Sequence, residues 1–340
     1  MGQENGELKT DIVTVTHDIL QKQQMVANAT GDLSIVINAV STACKWISNC
    51  VRKAELMNVI GLTGGQNVQQ ENVQKLDILS NEIMINMLRA TGRSAVLVSE
   101  EDEEAIVIES CERGYYCLAF DPLDGSSNID CGVSIGTIFG IWHQEDESRK
   151  GQVSDILRSG KDMVASGYCM YGSSSVFVLA LGGEVNGYTL DPNIGEFLLT
   201  HPKIKIGSKR IYSVNEGNAK GFDKAVKSYV DSCKFPPDGA KGYFKPFSAR
   251  YVGSMVADVH RTLLYGGIFM YPGGKLRMLY ECFPMSMIIE FAGGKSSNGR
   301  QRMLDLVPPS IHARSGIFLG SKTEVEKIEE LYRLLDEGKL

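Results

Sequence analysis

The 340-residue sequence is short of most features that would place it at a glance. No uninterrupted apolar run approaches the roughly 18 residues that suggest a membrane span, so no membrane is expected as a partner. Lysines and arginines are scattered and the net charge is −6, which argues against nucleic acid. The eight cysteines include no CxxC spacing, so reduced thiols are expected rather than a zinc site or a disulfide framework. Repeats and low-complexity tracts are absent. Met1 to Asp18 carries Glu4, Glu7, Asp11 and Asp18 and resembles neither a signal nor a transit peptide, from which a cytoplasmic address is expected. A P-loop is missing too: Ile289 occupies the first glycine position before Gly294-Lys295, and Phe269 does so before Gly274-Lys275.

What is present begins with Phe120 to Asn128, which reads Phe-Asp-Pro-Leu-Asp-Gly-Ser-Ser-Asn. The apolar stretch Tyr116 to Phe120 predicts a buried strand that delivers Asp121 and Asp124 to its C-terminal edge, where open α/β sheets bind ligands. Aspartate is rarely buried unless paired or bound to a metal, and hard oxygens suit Mg²⁺. Gly125, Ser126, Ser127 and Asn128 then offer backbone N–H groups and hydroxyls of the kind that hold a phosphate. Taken alone, the same residues are also good turn chemistry.

A second short strand, Ala95 to Val98, ends at Ser99-Glu100-Glu101-Asp102-Glu103-Glu104. Asp102 to Glu104 read as a solvated loop. Glu100 and Glu101 emerge next to Asp121 and Asp124, and four carboxylates aimed at one point repel unless cations lie between them. A multinuclear metal centre resolves that repulsion and suits in-line displacement at phosphorus.

The 43% apolar content and the length suit two fused α/β halves, 1–202 and 203–340, meeting near His201-Pro202. Helices are expected at Lys9 to Val26, at Leu33 to Lys53 behind an Asp32 or Ser34 cap, and at Asp77 to Arg89. Gly61 to Asn72 reads as a mobile loop. Strand segments follow at Gly136 to Trp142, Met163 to Tyr168, Val176 to Ala180 and Val185 to Leu190, then helices at Phe222 to Cys233, Ser254 to Tyr265 and Pro284 to Phe291.

Asp121-Pro122-Leu123-Asp124-Gly125-Ser126 with Glu100-Glu101 resembles the lithium-sensitive, metal-dependent sugar and inositol phosphatases. Lys75 to Asn81, Ala249 to Met255, and Gly274-Lys275-Leu276-Arg277 through Tyr280-Glu281 narrow the resemblance to class I fructose-1,6-bisphosphatase, from about residue 30 to 320. The resemblance implies a layered α-β-α-β-α sandwich and hydrolysis of fructose 1,6-bisphosphate to fructose 6-phosphate in gluconeogenesis. A sedoheptulose 1,7-bisphosphatase is the alternative enzyme, and a metabolite-sensing homologue without turnover is the alternative of another class. It implies Mg²⁺ or Mn²⁺, about two to three ions per site, held by Glu100, Glu101, Asp121, Asp124, Glu281 and the Leu123 carbonyl. Asp77 and Glu101 would activate the attacking water, assisted by Glu71. Gly125, Ser126 and Ser127 would hold the 1-phosphate with Arg277 nearby. Asn215, Arg250, Tyr251, Tyr271 and Lys275 would take the sugar and 6-phosphate, Arg250 from a neighbouring subunit of a homotetramer.

Departures from the pattern carry expectations of their own. Glu71 stands for an aspartate and Asn218 for a 6-phosphate tyrosine. Gln144 to Asp162 lacks the cysteines of the chloroplast members' regulatory insertion, which argues against thioredoxin-type control. Thr30, Gly31, Asp32, Leu33 and Ser34, with Tyr116, resemble an AMP site, but Tyr115 and His143 replace a lysine and an arginine. Losing two charge-assisted bonds is expected to weaken AMP inhibition.

Overall fold

Side chains that alternate between two different hydrophobic cores reveal how the chain is layered. The computed structural model describes residues 12–54, 62–66, 72–109, 114–236 and 245–340. Its helices are α1 (Val15–Gln24), α2 (Asp32–Lys53), α3 (Lys75–Ala90), α4 (Lys224–Lys234), α5 (Met255–Tyr265), α6 (Phe283–Phe291) and α7 (Lys322–Asp336). A small pair, β1 (Leu62–Gln66) and β2 (Asn72–Gln74), precedes the main sheet. That sheet contains β3 (Ser94–Ser99), β4 (Ile106–Val107), β5 (Tyr116–Asp124), β6 (Ile135–His143), β7 (Met163–Tyr171), β8 (Ser175–Leu181), β9 (Glu184–Asp191) and β10 (Glu196–His201). Its order is 10-9-8-7-6-5-3-4, antiparallel except where β3 runs parallel to β5. A second sheet holds β11 (Ile211–Ser213), β12 (Ser248–Ala249), β13 (Ile268–Arg277), β14 (Lys295–Ser297) and β15 (Arg314–Gly320) in the order 12-11-13-15-14.

Along β5, Leu118 and Phe120 pack with α2 and α3, whereas Cys117 and Ala119 pack with α5 and α6. Along β13, Phe269 faces that same middle core, whereas Ile268 and Met270 face α4 and α7. The period-2 pleat thus builds an α-β-α-β-α sandwich, the expected fold class. The middle core draws residues from both sides of His201, from Ala95 to Leu319. Helix α2 shows why its sequence folds as it does: Val36, Ile37, Val40, Cys44 and Ile47 recur at helical spacing and are all fully buried. Each aliphatic side chain so buried contributes roughly 1.5–3 kcal/mol.

Several expectations shift. Helix α1 starts at Val15 because Thr14 bridges Leu198 and its hydroxyl accepts the His17 N–H, holding residues 13–14 against β10. Neither Asp32 nor Ser34 caps α2. Gly31, at φ +88°, occupies that position, while Asp32 pairs with Arg93 at 2.5 Å and Ser34 donates to Gln23 at 2.7 Å. The segment expected as a loop contains β1, and Asn72 opens β2; Gly61 and residues 67–71, with Glu71, lie outside the described residues. Strand β10 and helix α7 were not among the expected elements.

Candidate active site

Strands β3 and β5 end side by side, and the Glu100 N–H donates to the Phe120 carbonyl at 3.1 Å, which ties the acidic run to the neighbouring strand. Although β4 intervenes in sequence, it pairs on the far side of β3. Strand β5 continues to Asp124, so its two aspartates lie within the strand and not beyond its edge. In a regular strand, residues three apart face opposite ways. Here Asp121 sits opposite Ile138 and Asp124 opposite Gly136, so three steps on β5 match two on β6. The extra residue makes a bulge, restores parity and turns both carboxylates to one face. Thr137 donates to the Pro122 carbonyl at 2.8 Å and the Leu123 N–H donates to Asp121 at 2.9 Å, which pins the bulge.

Three further elements converge there. Asp77, in the first turn of α3, is 3% exposed and lines the same cavity of about 670 Å³. Glu281 projects from a single π-helical turn, Met278–Cys282, that leads into α6. The Arg277 N–H donates to Glu281 at 2.6 Å, and its guanidinium lies 2.5 Å from Glu100 and 3.8 Å from Glu281. Asp124 accepts from the Val256 N–H at 2.9 Å and from Ser254 at 3.2 Å, which docks it on the N-terminus of α5.

Charge is crowded here. Burial, and then the neighbouring Glu100, Asp124 and Glu281, hold the Asp121 carboxyl well above its usual range. Burial pushes Asp124 up to about 6 against the Val256 N–H, and it raises Glu281 well above normal despite Arg277. One oxygen from each of Asp121, Asp124 and Glu281 falls within 4.8 Å of the others. Buried hard oxygens that destabilise one another at neutral pH fit a divalent cation, which removes the repulsion.

Beside the carboxylates the chain turns through Gly125 at φ +77°, and a Cβ there would come within 2.9 Å of the Ser254 Cβ, so only glycine fits. A short 3₁₀ turn, Ser126–Cys131, follows. Gly125, Ser126, Ser127, Glu101, Leu123, Tyr251 and Tyr271 all line the cavity. Burial and then Tyr271 push Tyr251 up to about 12, and a hydrogen bond with Asn215 works in the other direction.

Three expected residues are not on the wall. Asn215 stands near Tyr251, and its own oxygen accepts the Gly217 N–H at 3.0 Å. Exposed Arg250 turns back to the Ala249 carbonyl at 2.7 Å. Lys275 is exposed where β13 breaks register with β15.

Away from this site, Thr30, Gly31, Leu33, Ser34 and Tyr116 line one cavity of about 630 Å³, together with Lys22 and Lys203. Asp32 is not on its wall. The His143 ring meets Tyr116 edge-on at 5.0 Å, and its Nε2 lies 3.5 Å from Glu147.

Sequence reasoning missed Asp258 and Asp102. Asp258, fully buried on α5 and also on the cavity wall, accepts from the Val252 and Gly253 N–H groups, Ser213 and Arg261. In the sequence only its place among apolar helix residues hints at this. Asp102, expected to be solvated, is half-buried and accepts from Asn81 at 3.3 Å.

Fold and site together define a layered α/β enzyme whose centre is a buried carboxylate cluster beside a glycine-opened anion cradle. Family models for "Fructose-1-6-bisphosphatase, N-terminal domain" and "Fructose-1-6-bisphosphatase, C-terminal domain" match residues 13–202 and 206–333. The chain is 55% identical over 339 residues to the cytosolic fructose-1,6-bisphosphatase of Oryza sativa subsp. indica, covering 98% of each. It is also 55% identical over 332 residues to that of Spinacia oleracea, covering 96% of each. The holo crystal structure of Leishmania major fructose-1,6-bisphosphatase matches with a TM-score of 0.88 at 42% identity, over 95% of this chain and 99% of that one. This chain belongs to the class I fructose-1,6-bisphosphatase family and is a phosphatase.

Proposed function

We propose that the carboxylate cavity is the catalytic centre, that Mg²⁺ is its metal with Mn²⁺ able to substitute, and that about two to three ions bind per site. The reaction is hydrolysis of D-fructose 1,6-bisphosphate to D-fructose 6-phosphate and phosphate, a step of gluconeogenesis, and its location is cytosolic, as named for the plant relatives. The observation that carries the site assignment is the convergence of buried Asp121, Asp124 and Glu281 beside the Gly125 cradle.

Glu100, Glu101, Asp121, Asp124, Glu281 and the Leu123 carbonyl would hold the ions. When bound, they would lower the pKa of an attacking water and offset charge on the phosphoryl group. Asp77 and Glu101 take the proton from that water, with Glu71 assisting. The N–H groups at Gly125, Ser126 and Ser127 hold the 1-phosphate. Arg277 lies near the cleaved 1-phosphate, and with cations neutralising Glu100 and Glu281 its guanidinium would be available to that phosphate. Tyr251, Tyr271, Asn215 and Lys275 bind the sugar and 6-phosphate. Exposed Arg250 completes the site of a neighbouring subunit in a homotetramer. The halves divide the work unevenly: 1–202 carries most of the metal ligands and the 1-phosphate cradle, while 203–340 carries the sugar end and adds Glu281 and Arg277 to the metal end.

The test is Mg²⁺-dependent phosphate release from fructose 1,6-bisphosphate, sedoheptulose 1,7-bisphosphate and inositol monophosphate, on protein whose solution mass is set by light scattering. Preference for the fructose substrate, lost in Asp121→Ala, is expected. A flat response to all three would sink the assignment, and a fully active monomer would remove Arg250 from it.

The smaller cavity at Thr30, Gly31, Leu33, Ser34 and Tyr116 is assigned to AMP, with Asp32 at the helix start held by Arg93. Tyr115 and His143 supply no fixed cation there. Inhibition by AMP is expected to be weak, and tight, cooperative inhibition of the purified enzyme would overturn that expectation.

A further inference from the structure

Two of the three chain segments that carry the proposed metal ligands are joined outside the cavity by His312, a residue that neither the motifs nor the site geometry singles out. His312 lies half-buried in the stretch before β15. Its Nε2 is 3.0 Å from the Asp102 carbonyl, and its Nδ1 is 2.8 Å from the Tyr280 hydroxyl. A carbonyl can only accept, so Nε2 carries the proton; in the neutral ring Nδ1 then accepts, and Tyr280 donates. Burial lowers the His312 pKa; hydrogen bonds to the Glu103 and Asp102 backbone oppose that shift, and Arg277 and Arg314 add to it.

Each contact touches a residue adjacent to a proposed ligand. Asp102 follows Glu101, and Tyr280 precedes Glu281. Tyr280 is fully buried, and its ring meets His312 edge-on with centroids 6.0 Å apart. The backbone reinforces the tie, because the Met278 N–H donates to the Ala313 carbonyl at 2.8 Å. On the other side the chain of bonds reaches α3. Asn81 donates to the Asp102 side chain and accepts from Ser99 at 2.7 Å, and Ser99 accepts the Glu101 N–H at 3.2 Å. Asn81 lies one turn along the helix from Asp77.

We infer that His312, Tyr280 and Asp102 form a latch that sets the spacing between the Glu100–Glu101 loop and the Glu281 turn, and so tunes metal affinity without touching metal or substrate. The inference rests on the metal-site reading above. Inside the cavity Arg277 spans Glu100 and Glu281, and the latch restrains the turn and the loop from outside, where a cation entering the cavity does not displace it. Outer partners of this kind are typically worth about 10–100-fold in metal affinity.

The test measures Mn²⁺ binding directly, by titration calorimetry, on full-length wild type, Asp121→Ala, Tyr280→Phe, His312→Leu and His312→Gln. Tyr280→Phe removes one hydroxyl and keeps the packing. Glutamine can still donate to Asp102 and accept from Tyr280. Tyr280→Phe and His312→Leu should weaken Mn²⁺ binding by about 10–100-fold, while His312→Gln restores most of it and the KM for sugar bisphosphate stays near wild type. Lower melting temperatures with unchanged Mn²⁺ affinity would mean ordinary packing and would overturn the latch alone. Wild-type binding no tighter than that of Asp121→Ala would overturn the metal-site reading and the latch with it.

Discussion

Asp121→Asn should make the metal-free protein more heat-stable while lowering kcat/KM by about a thousandfold, or about 4 kcal/mol of transition-state stabilisation. Both effects come from one residue. Without cations, Asp121 lies fully desolvated against Glu100, Asp124 and Glu281, and its pKa rises for those reasons. A carboxyl whose folded pKa exceeds its unfolded value, about 3.9 for aspartate, contributes stability below that value and loses it as pH climbs through the folded one. Asp124, pushed up to about 6, and Glu281 behave alike. The metal-free enzyme should therefore weaken as pH rises from 4 towards 8. Asparagine cannot ionise, so the gain should be largest at pH 8, roughly 0.5–2 kcal/mol as is common when a functional site is relieved, and should vanish near pH 4. Scanning calorimetry in chelator at both pH values, with saturating Mg²⁺ as the contrast, reads the effect. A lower melting temperature for Asp121→Asn at pH 8 would mean that hydrogen bonding outweighs repulsion in this cluster.

The legibility of this site followed a physical boundary. The Phe120–Asn128 run was readable because two carboxylates beside a buried strand have few stable fates, and β5 is indeed buried from Cys117 onward. The bulge was not readable. Whether Asp121 and Asp124 share a face depends on their register against Gly136 and Ile138, which no local pattern in β5 encodes. Glu281 entered only through resemblance, since an isolated glutamate inside Met278–Cys282 looks like any helix residue until tertiary packing buries it. The same holds at the level of elements. Helix α2 is legible from its apolar period, but β4 is two residues long and exists only because Val96 and Leu97 offer it an edge. Helix α7 is a plainer omission, with Val325, Ile328 and Tyr332 at helical spacing. The caps misled for another reason: Asp32 and Ser34 are good capping residues, but Arg93 and Gln23 engage them first.

Metal end and sugar end of the cavity are built by opposite means. Repelling carboxylates converge at one, held by backbone N–H groups and Arg277. At the other, a single buried carboxylate organises a loop. Asp258 accepts the Val252 N–H at 3.0 and 3.1 Å and the Gly253 N–H at 3.0 Å, which fixes the two successive peptides on either side of Val252, the first of them leading out of Tyr251. Ser213, at 2.8 Å, ties the same carboxylate to β11 just before Asn215, and Arg261 balances its charge at 2.7 Å. Tyr251 therefore owes its position to a residue that substrate need not touch.

Removing that carboxylate should have the larger structural effect of any single change near the site. Asp258→Ala leaves the Arg261 guanidinium, 16% exposed, without its counter-charge and strands two N–H groups, a loss of about 3–5 kcal/mol. Because the loop carries Tyr251 and not the metal ligands, the kinetic effect should fall on substrate binding, with KM for the sugar bisphosphate rising at least about tenfold, or 1.4 kcal/mol. The kcat at saturation should change less than KM, since a loss of uniform binding leaves the chemical step alone. Asp258→Asn is the finer probe. It keeps one acceptor oxygen for the backbone but not the charge, so it should lie between wild type and alanine in melting temperature and in KM. Urea unfolding with steady-state kinetics on both variants separates the two effects. A fall in kcat with KM unchanged would place Tyr251 on the reaction itself and not on the grip of the far end of the substrate.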